Sequence, residues 1–264
     1  GSEVTPLKKT AGIIIFVWIF FSFWAFSKSE VYQLEKSLGG ISFSHPFGFD
    51  TFGRDVVRLV FRSSALSAFF AALTVISSTF LSILLGNTIA LSTPRIRFAM
   101  LRGLESFLAF PSLLFALAWA ALRGPGWDTL LFALLMGSVP SFVRLIYARS
   151  QELLEEPFIE AAKSSGAGRW RIMIKHLIPF QLSLCRVKAP GLFAHALMAE
   201  ATLTFLGVGA PIGSDTWGSL LIQGKTYLIE APHIAIGTGI PLLILIMAFQ
   251  SFSDEISKKT ISQH

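Results

Sequence analysis

Six stretches of the chain are apolar and nearly free of charge, near residues 10–27, 63–94, 106–122, 129–147, 189–206 and 234–253. A hydrocarbon core about 30 Å thick is crossed by roughly 20 apolar residues in a helix, so the runs read as membrane spans. Helix is the form required, because backbone groups in lipid must be satisfied within the segment. The pattern predicts an all-α polytopic membrane protein with six transmembrane helices. Ser63–Pro94 carries no charge and has length to spare for a tilted span. Pro111 lies near the start of the third run and predicts a kink there; Pro140 falls inside the fourth. His195 and Glu200 interrupt the fifth run. Residues 28 to about 62 read as a polar loop ending in a short helix, and 207 to 232 as a loop rich in Gly, Pro and Asp.

One polar stretch, residues 157–179, does not fit the alternation. Pro157 suits a first helical position, where its missing N–H is not needed. Gly166 suits a left-handed helix end. Beyond it Trp170, Met173, Ile174, Leu177 and Ile178 recur at helical spacing as one apolar stripe, with Arg169, Arg171, Lys175 and His176 off it. Pro179 is expected to end this second helix. Such a hairpin is too short and too charged to span a bilayer. It belongs at a membrane surface, with one face on the protein and the other open to a partner; an ordinary surface loop is the plainer alternative.

Composition and charge place the hairpin on one side. The chain has 264 residues, of which 53% are hydrophobic and 14% charged, against about 25% charged in soluble domains. It reads as one transmembrane domain, residues 10–258, between a tail at 1–9 and a tail at 259–264. Gly1-Ser2 looks like a tag remnant, and the first apolar run lacks a small-residue cleavage site, so it reads as a retained span. Cys185, the single cysteine, excludes an intrachain disulfide. Of the 22 Lys and Arg, fifteen fall on the side of the termini and hairpin: Lys8, Lys9, Lys258, Lys259, the 95–102 loop and the region 144–188. Lys28, Lys36, Arg54, Arg58, Arg62, Arg123 and Lys225 fall opposite. Positive residues favour the cytoplasmic side, so both termini and the hairpin are expected there. The net charge of +6 is accounted for by this asymmetry, and nucleic acid is not expected as a partner.

The residues of the hairpin carry more than a topology. Glu160-Ala161-Ala162, Gly166 four residues on and a basic amphipathic run closing at His176 and Pro179 resemble the EAA loop of ABC-importer permeases. His45-Pro-Phe-Gly-Phe-Asp-Thr-Phe-Gly-Arg-Asp55 looks like the segment before the second span of the "C"-type permeases for dipeptides, oligopeptides and nickel. Leu108-Ala-Phe-Pro111 resembles their motif at the third span, and Glu200-Ala-Thr-Leu-Thr-Phe-Leu-Gly-Val-Gly209 with Trp217-Gly218 their last long motif. The resemblance runs from about His45 to the end; Arg62-Ser63-Ser64 stands where the family shows Gly-x-Arg. It implies a type I importer permease in a bacterial inner membrane. The implied partners are a homologous second permease, two ATP-binding cassette subunits carrying ATP and Mg, and an extracytoplasmic binding protein. Peptide or nickel-chelate cargo would move by alternating access.

The same resemblance assigns ATPase coupling to Pro157, Glu160, Ala161, Ala162, Ser165, Gly166, Trp170, His176 and Pro179. Arg54, Arg58 and Arg62 recur every four residues as a stripe, open either to contact with an acidic docking protein or lipid phosphates, or to plain interfacial anchoring by snorkelling side chains. Arg54, Asp55, Arg58 and Trp217 are the expected outer contacts with a binding protein. Glu200 in a span is either functional or a hydrogen-bonded structural acid. His195 lies on a different helical face, so the two do not pair on a metal. Gly218 and Gly224-Lys225-Thr226 miss the phosphate-loop register, because five residues intervene instead of four. No catalytic set, cofactor site or metal site is expected in the chain, and ATP is left to a partner. An ion-gradient transporter would want midplane acids or paired broken helices; a membrane-embedded enzyme would want a convergent nucleophile and base.

Overall fold

The computed structural model describes residues 5–27 and 32–261, with side chains for all of these except 5–9, 26 and 259–261. Gly1-Ser2, read above as a tag remnant, and the side chains of Lys8, Lys9, Lys28 and Lys259, used in the charge asymmetry, lie outside the described residues. The chain is almost wholly helical: α1 Thr5–Phe26, α2 Val56–Leu91, α3 Pro94–Ala109, α4 Ser112–Arg123, α5 Trp127–Leu154, α6 Pro157–Ser164, α7 Arg169–Ile172, α8 Ile178–Phe205, α9 Trp217–Thr226 and α10 Pro232–Ile261. A 3-10 turn covers Leu34–Lys36 and a π turn Met173–Leu177. Among the described residues three helices are long and apolar enough to cross a membrane, Val56–Leu91, Trp127–Leu154 and Pro232–Lys258; α3 with α4 makes a fourth if the bent pair is counted as one span. The 28 residues of α8 rise about 42 Å, but Arg186, Lys188, His195 and Glu200 lower its apolarity.

Helix α2 is the axis on which α1, α5 and α8 pack. Its 36 residues bury a stripe of small side chains, among them Ser67, Ala71, Thr74, Ser78, Ser82 and Gly86, spaced three or four apart. Small residues let helices approach where lipid offers no hydrophobic drive for association. At Gly86 an added Cβ would lie 2.7 Å from Ile146 Cγ2 on α5. The hydroxyls close on carbonyls: Thr74 Oγ1 donates to Phe70 O at 2.7 Å and Ser82 Oγ to Val139 O at 3.4 Å. The main core joins α2, α8, α9 and α10 around Leu59, Leu197, Trp217, Leu220, Ile234 and Leu245.

Four expectations are corrected. The short helix expected before the second span is the first part of α2, and Arg54 lies ahead of it, so the arginine stripe reduces to Arg58 and Arg62. Near Pro111 the third run breaks instead of kinking: α3 and α4 meet at 81°. Proline pushes its predecessor out of the helical region, and Phe110 is extended at φ −93°, ψ 130°. Pro179 does not end a helix. Lacking an N–H, proline fits the first turn of α8, and the π turn before it keeps α7 and α8 helically continuous. The expected Gly/Pro/Asp loop holds α9, capped where Thr216 Oγ1 accepts from the Ser219 N–H at 3.3 Å. Gly218 and Gly224 depress helix propensity, yet packing requires Gly218, since a Cβ there would stand 2.4 Å from Thr204 Cβ.

Candidate functional site

Around Gly166 the hairpin closes with two crossed backbone bonds. Gly166 N–H donates to Lys163 O at 2.9 Å and Ala167 N–H to Ala162 O at 3.0 Å. This is the paired closure that a left-handed C′ residue permits, and Gly166 has φ +82°. Ser165 Oγ also donates to Ala161 O at 2.9 Å. Beneath the turn lies a small dedicated core of Leu153, Ile159, Ile172 and Leu177, backed by Leu91 and Ala167. Phe158 on α6 stacks on Phe180 of α8 at 5.6 Å and reaches the His176 ring at 6.2 Å. The hairpin is therefore packed against the helices on either side of it.

Glu160, Ala161, Ser165 and Gly166 are exposed, with Pro157 and Pro179; Ala162 and His176 are half-buried. The apolar stripe expected on the second piece is rearranged. Ile172, Met173 and Leu177 are buried, whereas Trp170 is 70% and Ile174 57% exposed. A π turn inserts one residue and rotates the remainder of the helix relative to the turns before it. The rotation bears on the residues after the turn; Trp170 precedes it, and the core beneath the hairpin takes Ile172 and Leu177 instead. Two large apolar side chains of the hairpin thus stand outward.

A buried polar network fastens α8 to α2 and α5 just beyond the hairpin. Asn87 Nδ2 donates to Gln181 Oε1 at 2.8 Å, and Gln181 Nε2 donates back to Asn87 Oδ1 at 2.9 Å. Gln181 Nε2 also donates to Ser150 Oγ at 2.8 Å, and Ser150 Oγ to Ile146 O at 2.7 Å. All three residues are fully buried. A satisfied network of this kind fixes register in a low-dielectric interior. No motif flagged it; Asn87 and Gln181 are 94 residues apart.

At the opposite end, Asp50 organises the 45–55 segment. Its Oδ1 accepts the N–H groups of Phe52 at 2.9 Å and Arg54 at 2.8 Å, and its Oδ2 accepts Arg54 Nε at 2.8 Å. Arg54 Nη1 reaches Asp215 Oδ1 at 3.3 Å across the chain. Asp55 Oδ1 accepts the Arg58 N–H at 3.1 Å as the cap of α2, and Asp55 Oδ2 meets His45 Nδ1. Arg54 is a buried internal tie, and Asp55 is engaged by both oxygens. Trp217 is fully buried: its Nε1 donates to Thr238 O at 2.9 Å and its ring stacks on Trp18 at 5.3 Å. The outer-contact expectation for Arg54 and Trp217 is corrected on this ground; both lie inside the protein. Asp50→Ala would leave the buried Arg54 guanidinium short of its best partner. About 3–5 kcal/mol of stability is expected to be lost, read as a lowered melting temperature of the solubilised chain.

Glu200 is fully buried, and its Oε1 accepts from Thr204 Oγ1 at 3.1 Å. Its Oε2 has no bond in place among the described residues, with the Ser67 and Thr216 hydroxyls and the Gly218 N–H as the donors around the carboxyl group. Glu200 thus sits at the N-terminus of α9, where backbone amides favour a carboxyl group. His195 is exposed on another face of α8, so the structure does not bring the two together.

Comparison with known proteins agrees with the fold. Residues 78–261 match the family described as the binding-protein-dependent transport system inner membrane component. A putative peptide transport system permease protein of Brucella suis is 32% identical over 210 residues, covering 80% of this chain and 71% of that one. A dipeptide transport system permease protein of Alkalihalophilus pseudofirmus is 32% identical over 217 residues, 82% and 71% of the two chains. A glutathione transport system permease protein of Pectobacterium atrosepticum is 27% identical over 256 residues, 92% and 83%. Among solved structures, the MetNI methionine ABC transporter in an inward-facing conformation aligns at a TM-score of 0.56 and 18% identity, over 75% of this chain and 95% of that one. The chain belongs to this family of inner-membrane permease subunits, with the type I importer fold.

Proposed function

We propose that this permease draws its work from two separate ATPase subunits through the 157–179 hairpin and hydrolyses no ATP itself. It pairs with a homologous second permease around a shared path. An extracytoplasmic binding protein delivers cargo of the peptide class, the class named for the relatives at 32% identity. Nickel chelates, which the sequence resemblance also implied, have no such support. The termini and hairpin face the cytoplasm of a bacterial cell, and ATP with Mg stays on the ATPases.

One observation carries the reading: the hairpin has its own core yet presents Glu160, Ala161, Trp170 and Ile174 outward. A rigid element with an open face suits transmission of a domain movement, since packed elements shift as bodies and do not deform continuously. ATP-driven closure of two ATPases would draw two such hairpins together and reorient the spans. The test is recovery of the ATPase with the membrane-inserted chain, compared with Glu160→Lys and Gly166→Pro. Proline, with φ near −65°, cannot occupy the +82° conformation of residue 166. Both variants are expected to insert and to lose the ATPase. Undiminished recovery with both would overturn the docking role.

A further inference from the structure

The two roots of the hairpin are bonded to each other. Ser150 lies four residues before the end of α5, which leads into the hairpin, and Gln181 three residues after the start of α8, which leads out of it. Gln181 Nε2 donates to Ser150 Oγ at 2.8 Å, across 31 residues of chain. Asn87, four residues before the end of α2, holds both. It exchanges two bonds with Gln181, at 2.8 and 2.9 Å, and its Oδ1 lies 3.0 Å from Ser150 Oγ. Asn87 Nδ2 also donates to Ile83 O at 2.8 Å. Both amide nitrogens are thus fully used, and none of the three side chains keeps a buried polar atom without a bond. Gly86 makes the approach possible, since a Cβ there would lie 2.7 Å from Ile146 Cγ2, one turn before Ser150.

A hairpin moved by a partner pulls on α5 and α8 at once. Apolar contacts at its base, such as the stack of Phe158 on Phe180, are non-directional, and packed helices slide past one another by small shears. A reciprocal amide pair has one geometry. Opening it in a fully buried site costs about 1–3 kcal/mol for each group left unpaired, so slip between α2, α5 and α8 is opposed at this level. The π turn joins α7 to α8 without a break. The 36 residues of α2 rise about 54 Å, with the joint near one end and the Asp55 cap at the other. A displacement entering at the hairpin therefore meets one tied body that reaches the far side of the molecule.

We propose that Asn87, Ser150 and Gln181 are positioning residues of the transport cycle: they tie both roots of the hairpin to α2, so that a movement of the hairpin is delivered to α2 instead of being lost as slip between α5 and α8. The inference rests on the reading that a partner ATPase moves the hairpin, and adds the route by which that movement enters the spans. A merely stabilising network would hold the three helices in each state without deciding whether they keep their places between states.

The test uses the transporter assembled with its ATPases in proteoliposomes, with nitroxide labels in a Cys185→Ser background that removes the only cysteine of this chain. One pair is Thr88→Cys with Ser183→Cys and the other Ala148→Cys with Ser183→Cys; all three positions are exposed. Label distances are compared without nucleotide and with ATP trapped by vanadate. The variant is Asn87→Leu with Gln181→Met, which keeps side-chain size, deletes the amide pair and leaves Ser150 Oγ its bond to Ile146 O. Replacing both partners of a buried bond by apolar groups of like shape is close to neutral, so this variant is expected to bind its ATPases and to melt near the parent. In the parent both distances are expected to hold within about 1 Å, below the helix shifts of switching interfaces. In the variant they are expected to move on trapping by about 2–5 Å, from a helix slide to a one-turn step. Ser150→Ala, which frees α5 alone, is expected to move only the 148–183 distance and guards against a double variant that does not assemble. Variant distances as constant as the parent's would overturn the joint and leave a structural tie, and so would a movement of that size in the parent. A parent chain that recovers no ATPase would instead remove the docking reading, and the joint with it.

Discussion

Trp217→Ala is expected to cost about 3–5 kcal/mol, the range for truncating a buried aromatic. The ring is fully buried in the largest core cluster and stacks on Trp18 at 15° between planes. Its removal leaves a cavity where α1, α2, α9 and α10 meet and takes away the Nε1 donor to the Thr238 carbonyl. The loss is a large part of the roughly 5–15 kcal/mol that holds a domain together. The solubilised chain should melt well below the parent and accumulate poorly in membranes. Trp217→Phe separates the contributions: it keeps most of the packing and loses the hydrogen bond, worth about 1 kcal/mol. If alanine and phenylalanine lower the melting temperature equally, the packing role given to the ring is wrong.

The second large effect falls on function with the fold intact. Trp170→Asp and Ile174→Asp place charge on side chains that are already exposed, so neither should disturb the core of the hairpin. Interface hot spots are enriched in tryptophan and cost about 2 kcal/mol or more when removed. ATPase affinity is therefore expected to fall by about thirtyfold or more for Trp170→Asp, at about 1.4 kcal/mol per decade. Uptake should fall with it, while melting temperature and membrane insertion stay at the parent level. Parental affinity in both variants would move the docking face elsewhere on the hairpin.

The helical class was legible because lipid demands long apolar runs, and the runs stand out in the chain. The hairpin was legible because Pro157 and Gly166 punctuate it for stated backbone reasons. What periodicity could not show was which face each residue takes. Trp170 and Ile174 sit on the apolar stripe of a 3.6-residue helix, yet the small core beneath the hairpin takes Ile172 and Leu177 and leaves both outward. Trp217 reads as an outer contact in a Gly-rich loop, but Gly218 lets α9 pack against Thr204, and the ring goes inward. Arg54 falls on a helical spacing with Arg58 and Arg62, yet Asp50 draws it into the loop ahead of α2. The Asn87–Gln181–Ser150 network depends on three helices meeting, which no local pattern announces.

The proposed position of the hairpin on the inner surface is tested most directly by sided labelling of Lys163→Cys, in a Cys185→Ser background. Residue 163 is exposed one turn from Glu160. An impermeant thiol reagent is predicted to modify it in inside-out vesicles and not in right-side-out ones, with the bound ATPase slowing the reaction. Rapid modification from the external face would contradict the account.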